Sequence, residues 1–190
     1  MTAYLFLDFE FTPLRLGARG FLTPALRRYA HPLAGYTFAV LAAWNPFYHY
    51  GWAICGHAGL MISCFIERTG QHHLLQPLGR LRSAGRRKIL QGAAALDYPL
   101  KIIGVSERFL AENPDLVQEF QVREDRTASN YLYAADSLAE LKGRKYAKKR
   151  NLISQANGLY EWTASPLTAE RTGSCFAVLE AIAGEESPQV

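Results

Sequence analysis

Between Lys142 and Arg150 six of nine residues are cations: Lys142, Arg144, Lys145, Lys148, Lys149 and Arg150. Six charges this close repel one another unless solvent or a counter-anion relieves them. Phosphate is the natural counter-anion, because arginine offers it a bidentate fork and lysine a point charge. Tyr146 sits among them and could stack on a base. The competing reading is a solvated cationic face. A second constellation, Asp125-Arg126 followed by Asn130-Tyr131-Leu132-Tyr133, is read at a strand end, where sheets commonly present functional groups. Its competing reading is a structural ion pair beside core aromatics.

Charge makes the first constellation conspicuous. The chain is formally +4, and without those six residues it would be −2. A second acid-free block, Arg80, Arg82, Arg86, Arg87 and Lys88, reads as a solvated face. Without both blocks ten basic residues face seventeen acidic ones. Two positive segments on an otherwise acidic body suggest an anionic partner.

Other chemistry is poorly represented. His72 and His73 would point to opposite faces of a strand, and His31, His49 and His57 lack ligand spacing, so no metal is expected. Cys55, Cys64 and Cys175 show no CxxC pattern and no visible base, which argues against a thiol nucleophile. There is no GxSxG, P-loop or GxGxxG, so no cofactor is expected.

The elements that must position these residues read as follows. Tyr4–Leu14 has strand periodicity, stopped near Pro13. Arg19–Ala30 is a helix with Phe21, Ala25, Leu26 and Tyr29 on one face, and Thr37–Trp44 is a second, closed by Asn45-Pro46. Tyr48–Ile54 and Leu60–Ile66 are strands joined by a turn at Gly56-His57-Ala58-Gly59. A strand at Gln71–Gln76 precedes a helix at Ser83–Leu96 and a short strand at Lys101–Val105. Ser106 caps a helix to about Glu112, with a further turn after Asn113-Pro114. Phe120–Arg123 and Asn130–Ala134 read as paired strands. Ser137-Leu138-Ala139-Glu140 is a capping box that starts a helix. Gly143 breaks it, and a second helix follows with Tyr146, Ile153 and Tyr160 spaced by seven. Glu161–Leu167 reads as a strand and Thr168–Gly184 as a last helix. The irregular alternation predicts an α+β fold, a mixed and largely antiparallel sheet flanked by helices.

Size and composition fit one domain: 190 residues, 49% hydrophobic and 12% aromatic are enough for a sizeable core. The opening segment lacks a positive n-region, no apolar run is long enough to span a bilayer, and the cysteine count is odd. A cytoplasmic protein is expected, with at most peripheral membrane contact.

Asp125-Arg126, Asn130 to Tyr133 and the run Leu138 to Asn151 resemble a domain-of-unknown-function family described as similar to the C-terminal, cytoplasmic domain of phosphatidylglycerol lysyltransferase. Leu7 to Leu14 and Tyr36 to Trp52 match it too, so the resemblance runs from about Leu7 to Thr168. It implies two tandem acyltransferase-like units of the GNAT type, of which residues 1–168 would be the first. Residues 169–190 would be a helix and polar tail near a truncation point. It also implies transfer of an aminoacyl group from a charged tRNA to an amine or hydroxyl. On that reading Lys142, Arg144, Lys145, Tyr146, Lys148, Lys149, Arg150 and Asn151 hold a phosphate-bearing donor, with no DNA specificity. Asp125, Arg126 and Tyr131 would sit nearer the chemistry. Three departures stand out. Asn130 occupies a position where the family has an acid. The pyrophosphate loop of CoA-dependent members is missing. The chain stops where a second unit would follow, so a homodimer or a truncated form is expected. The alternatives are a non-catalytic RNA- or phosphate-binding module and a structural half-domain that dimerises.

Overall fold

A computed structural model of the chain describes residues 2–29, 31, 33–56, 59–79, 81–126 and 133–185. It divides into two compact units, residues 1–130 and residues 131–190.

Unit 1 is built on six strands: β1 (Tyr4–Phe6), β2 (Phe9–Pro13), β3 (Gly51–Cys55), β4 (Gly59–Ile66), β5 (Gln71–Leu75) and β6 (Ile102–Ile103). They lie in sequence order. Neighbours pair antiparallel from β1 to β5, and β6 joins β5 in parallel. The parallel pair needs a crossover, supplied by helix α3 (Ser83–Ala94). Helices α1 (Arg19–Arg28) and α2 (Phe38–Tyr48) link β2 to β3, while α4 (Glu107–Glu112) and α5 (Pro114–Val117) follow β6. The fold is therefore α+β, a mixed sheet flanked by helices, as the alternation predicts.

The core lies on both faces of the sheet. Leu22 and Leu26 of α1 and Phe38 and Leu41 of α2 meet Leu60, Ile62 and Cys64 of β4 on one side. On the other, Ile89 of α3, Phe109 of α4 and Leu116 of α5 meet Phe11, Met61 and Leu74. Strand β4 is buried on both faces for its first six residues, which makes it the central strand of the unit. Ser63 is fully buried and shares a 2.6 Å hydrogen bond with the Tyr4 hydroxyl. A side chain at Gly51 would reach within 2.3 Å of that hydroxyl, so only glycine fits.

Several local expectations are corrected. Tyr4–Leu14 is a hairpin and not one strand: Phe6 pairs with Phe9 across Leu7 and Asp8, both left-handed at φ 52° and 60°. That two-residue turn has the geometry favoured in hairpins, but not the glycine or asparagine that signals it. It is held from outside, since Leu7 is buried and Lys88 of α3 reaches Asp8 at 2.7 Å. Helix α2 continues through Asn45-Pro46 to Tyr48 and ends where His49 turns left-handed at φ 41°. Asn45 ties that end down by donating to the Leu14 carbonyl and accepting from the Tyr50 N–H. On α1 the buried residues are Leu22 and Leu26, and Phe21 is exposed. Phe120–Arg123 forms no strand; Asn130 to Leu132, its expected partner, lies outside the described residues, as do His57, Ala58 and Arg80.

The second basic block is partly engaged. Arg86 pairs with Asp115 at 2.8 Å, and Lys88 lies over the Phe9 ring at 5.2 Å besides holding Asp8.

Unit 2 is helical: α6 (Ala135–Glu140), a 3-10 turn at Arg144–Tyr146, α7 (Ala147–Leu159), a 3-10 turn at Ala169–Arg171 and α8 (Thr172–Glu185). Helix α6 starts two residues before Ser137 and has Ala134 at its N-cap, so the expected capping box does not form. The break near Gly143 is present. Glu161–Leu167 is irregular rather than a strand. Of the heptad-spaced trio Tyr146 is buried, but Ile153 and Tyr160 are exposed. Among the described residues no helix is long and apolar enough to cross a membrane.

Candidate functional site

The chain reverses between α6 and α7 because Leu141 takes a left-handed φ of 49° and Gly143 one of 88°. Gly143 is at home in that region; Leu141 is not, and must be held there. Arg150 supplies the hold: one guanidinium nitrogen donates to the carbonyls of Leu141 and, at 2.9 Å, Gly143. Lys142 pairs with Glu140 at 3.1 Å, both side chains largely exposed. Two of the six cations are thus spent on the loop itself.

Three of the six, Arg150 among them, are also placed against the usual preference. Lys148, Lys149 and Arg150 occupy the first turn of α7, which has no acid and no side-chain cap. A cation there opposes the positive end of the helix dipole at a cost of about 0.3–1 kcal/mol. An anion bound at this helix start would relieve both the dipole and the mutual repulsion.

A cleft of about 390 Å³ opens at that point, lined by Tyr133, Ala134, Ser137, Lys145, Tyr146 and Lys149. Both lysines are laid on rings: the Lys145 Nζ is 5.0 Å from the Tyr146 centroid and the Lys149 Nζ 5.4 Å from that of Tyr133. Cation–π contact fixes an ammonium without consuming its hydrogens, which remain available to an oxygen anion. Ser137 contributes a hydroxyl to the same cleft. Arg144, Lys148 and Asn151 are exposed and do not line it. The structure therefore brings together Lys145, Tyr146 and Lys149 out of the eight residues expected to hold a donor. It adds Tyr133 and Ser137, which the spacing of charges alone could not indicate.

Of the residues expected nearer the chemistry, Asp125 and Arg126 lie among the described residues. Arg126 lies 3.9 Å from Glu124, with side chains 90% and 81% exposed, an ion pair of little energetic weight. Asp125 is exposed. Tyr131 is outside the described residues.

Unit 1 holds a larger cavity that sequence reading missed, of about 810 Å³. It opens where the parallel strands part. Gln76 still donates to the Ile103 carbonyl at 2.9 Å, after which Leu78 stays with Leu60 of β4 while Gly104 turns left-handed at φ 70°. Arg28, His31, Gln76, Arg86, Ser106 and Arg108 are among its walls. The Gln76 side-chain oxygen accepts from the Ser106 N–H at 2.7 Å and its hydroxyl at 3.0 Å. His31 stacks on Tyr36 at 3.8 Å. Burial pushes the imidazole below its usual value and the Tyr36 hydroxyl well above its own. The His31 Nε2 and the Tyr36 hydroxyl are both buried without a well-formed hydrogen bond among the described residues. These residues come from four separate segments with no shared motif, so only the folded chain reveals them.

Comparison with known proteins agrees with the fold. The family model described as "Phosphatidylglycerol lysyltransferase, C-terminal" matches residues 26–185. No curated protein matches the chain. A solved structure of a conserved protein of unknown function from Bacteroides thetaiotaomicron superposes with a TM-score of 0.78 at 22% identity. The match covers 95% of this chain and 62% of that one, so the chain spans under two thirds of the solved relative. At that identity the likeness speaks for fold alone.

Proposed function

The chain belongs to the phosphatidylglycerol lysyltransferase C-terminal family, and from that premise we propose an aminoacyl- or acyltransferase-related domain that binds a phosphate-bearing donor at the start of α7. Its favoured donor is an aminoacyl-tRNA. The supporting observation is the cleft in which Lys145 and Lys149 are laid on aromatic rings beside Ser137. Lysines fixed in this way present two point charges at one place, which suits the backbone phosphates of an RNA end.

In the transfer so proposed an acceptor amine or hydroxyl attacks the aminoacyl ester carbonyl. A bond to that carbon forms, the ester C–O bond breaks, and the acceptor's proton leaves with the released ribose hydroxyl. No covalent enzyme intermediate is required. The protein's share is positioning and stabilisation of the oxyanion. Asp125, Arg126 and Tyr131 are the candidates for the reacting centre.

RNA affinity measured against salt tests the binding step. Each phosphate contact contributes about 0.7–0.9 to the slope of log affinity against log salt. The double change Lys145→Glu, Lys149→Glu should then lower the slope by about 1.4–1.8. An unchanged slope, or no RNA binding at low salt, removes the proposal. Transfer of a labelled amino acid from charged tRNA separates the transferase from a second reading, a non-catalytic RNA- or phosphate-binding module. The 90% exposure of the Arg126 side chain favours that second reading, because a catalytic arginine is ordinarily held in place.

A further inference from the structure

The cleft at the start of α7 places two cations, Lys145 and Lys149, among Tyr133, Ala134, Ser137 and Tyr146. A site that reads a base needs an open aromatic face to stack it, or an amide, guanidinium or carboxylate to bond its edge. Among the described residues lining the cleft none is of the second kind. The rings are already engaged. Tyr146, expected to stack a base, is only 4% exposed and carries the Lys145 ammonium, while Lys149 stands over Tyr133. Asn151, two residues beyond Lys149, is exposed and outside the cleft. The neighbouring acids are directed elsewhere. Glu140 pairs with Lys142 at 3.1 Å, and Asp136, in the first turn of α6, is exposed and does not line the cleft.

We infer that this cleft recognises linked phosphates and nothing of the base, so that its ligand class is a chain of phosphates of any origin: the backbone of a nucleic acid or inorganic polyphosphate. The inference rests on the donor reading above and deepens it. An ammonium is a compact point charge with rotatable donors, so it accepts a phosphate oxygen from many directions. Lys145 and Lys149 are four residues apart and face one cleft, so a ligand with several linked anionic groups engages both at once. A site of this kind carries a donor without selecting it. The aminoacyl group and the tRNA must then be told apart by contacts made elsewhere.

The test uses the intact chain and a labelled single-stranded RNA, in buffer without divalent cations. Inorganic tripolyphosphate should displace the RNA, and a mixture of nucleosides should not. An abasic strand of equal length should bind within about threefold of the RNA, whereas each stacked base is worth about 5–150-fold. The variant Lys145→Gln, Lys149→Gln should bind tripolyphosphate at least about tenfold more weakly, since each charged hydrogen bond lost is worth about that much. The control pair Arg144→Gln, Lys148→Gln removes the same charge from exposed positions outside the cleft and should cost less than about threefold. All four side chains are exposed, so the unfolding midpoint should hold in both variants. RNA that binds but is not displaced by tripolyphosphate, or that loses about fivefold or more with its bases, overturns the inference and leaves the donor reading standing. Equal losses from the two pairs overturn it as well, because diffuse charge and not the cleft would then hold the anion. No RNA binding at low salt removes both.

Discussion

The two units differ in how they use apolar side chains. In unit 1 Phe11, Leu22, Ile62, Leu74 and Ile89 are completely buried, in two clusters on opposite faces of one sheet. In unit 2, among residues 133–178, only Tyr146 is buried, and Leu152, Ile153, Leu159, Trp162 and Phe176 are 47–74% exposed. Unit 1 thus carries the burial that offsets chain entropy. The helices of unit 2 rest on local devices, such as the guanidinium of Arg150 at the carbonyls of Leu141 and Gly143. A helix of thirteen residues is marginal by itself in water. The basic cleft therefore stands on the less buried part of the molecule, where binding and ordering can be linked.

The largest expected effect sharpens this contrast directly. Leu74→Ala, at a fully buried position on β5, should lower the unfolding free energy by about 2–5 kcal/mol. Ile153→Ala, at a position 47% exposed on α7, should change it by no more than about 0.5 kcal/mol. Urea titration of both variants reads the difference. Equal losses would mean that α7 is packed against something that conceals Ile153 in solution, and the contrast between the units would be lost.

One substitution made in each unit should change sign. A Cβ at Gly92 of α3 would meet the Leu7 Cα at 2.7 Å, in the backbone of the β1–β2 turn. Gly92→Ala should therefore destabilise by about 1–3 kcal/mol despite the better helix propensity of alanine. Gly158 in α7 has nothing within 4 Å, so Gly158→Ala should stabilise that helix by about 0.4–1 kcal/mol. Thermal melts followed by helical ellipticity distinguish the two. A stabilising Gly92→Ala would show that the hairpin turn can yield.

How much of this was legible in the sequence follows the same division. Strands β4 and β5 and helices α3 and α4 stand close to their expected bounds, because their apolar periodicity is the pattern that burial imposes. The capping role of Ser106 is likewise a local rule, met by its bond to the Phe109 N–H. The Leu7-Asp8 turn was not legible, since neither residue prefers a positive φ and the support comes from Lys88, eighty residues away. Glu161–Leu167 reads as a strand, yet among the described residues it pairs with no sheet edge. At the candidate site the charges were legible and the pairing with rings was not. Lys149 finds Tyr133 across a loop reversal that hangs on one left-handed leucine. The cavity of unit 1 was invisible for a similar reason, as Gln76 and Ser106 meet only because β6 runs parallel to β5.

The smallest expected effect is a slope with pH that belongs to one unit. All five histidines precede Leu74 in the sequence, so titration of imidazole touches unit 1 alone. Burial lowers the folded-state values of His31, His72 and His73, with Lys101 and then His72 adding to the effect at His73. An unfolded chain takes up these protons near 6.5, the ordinary value of an imidazole, while the fold resists them until lower pH. Below that value the unfolded state binds more protons, so stability falls as pH falls. The urea midpoint should be steady above about pH 7.5 and should drop between pH 6.5 and 5.5, before carboxylates begin to protonate. His72 packs on Tyr4, Phe6 and Phe65 at 4.9, 5.3 and 4.8 Å, so replacing it by a ring that does not titrate keeps most of the packing. His72→Phe should make the slope shallower, whereas Lys148→Ala in unit 2 should leave it unaltered. A midpoint that rises on acidification, or a slope insensitive to His72→Phe, would place the sensitive protons elsewhere and remove this difference between the units.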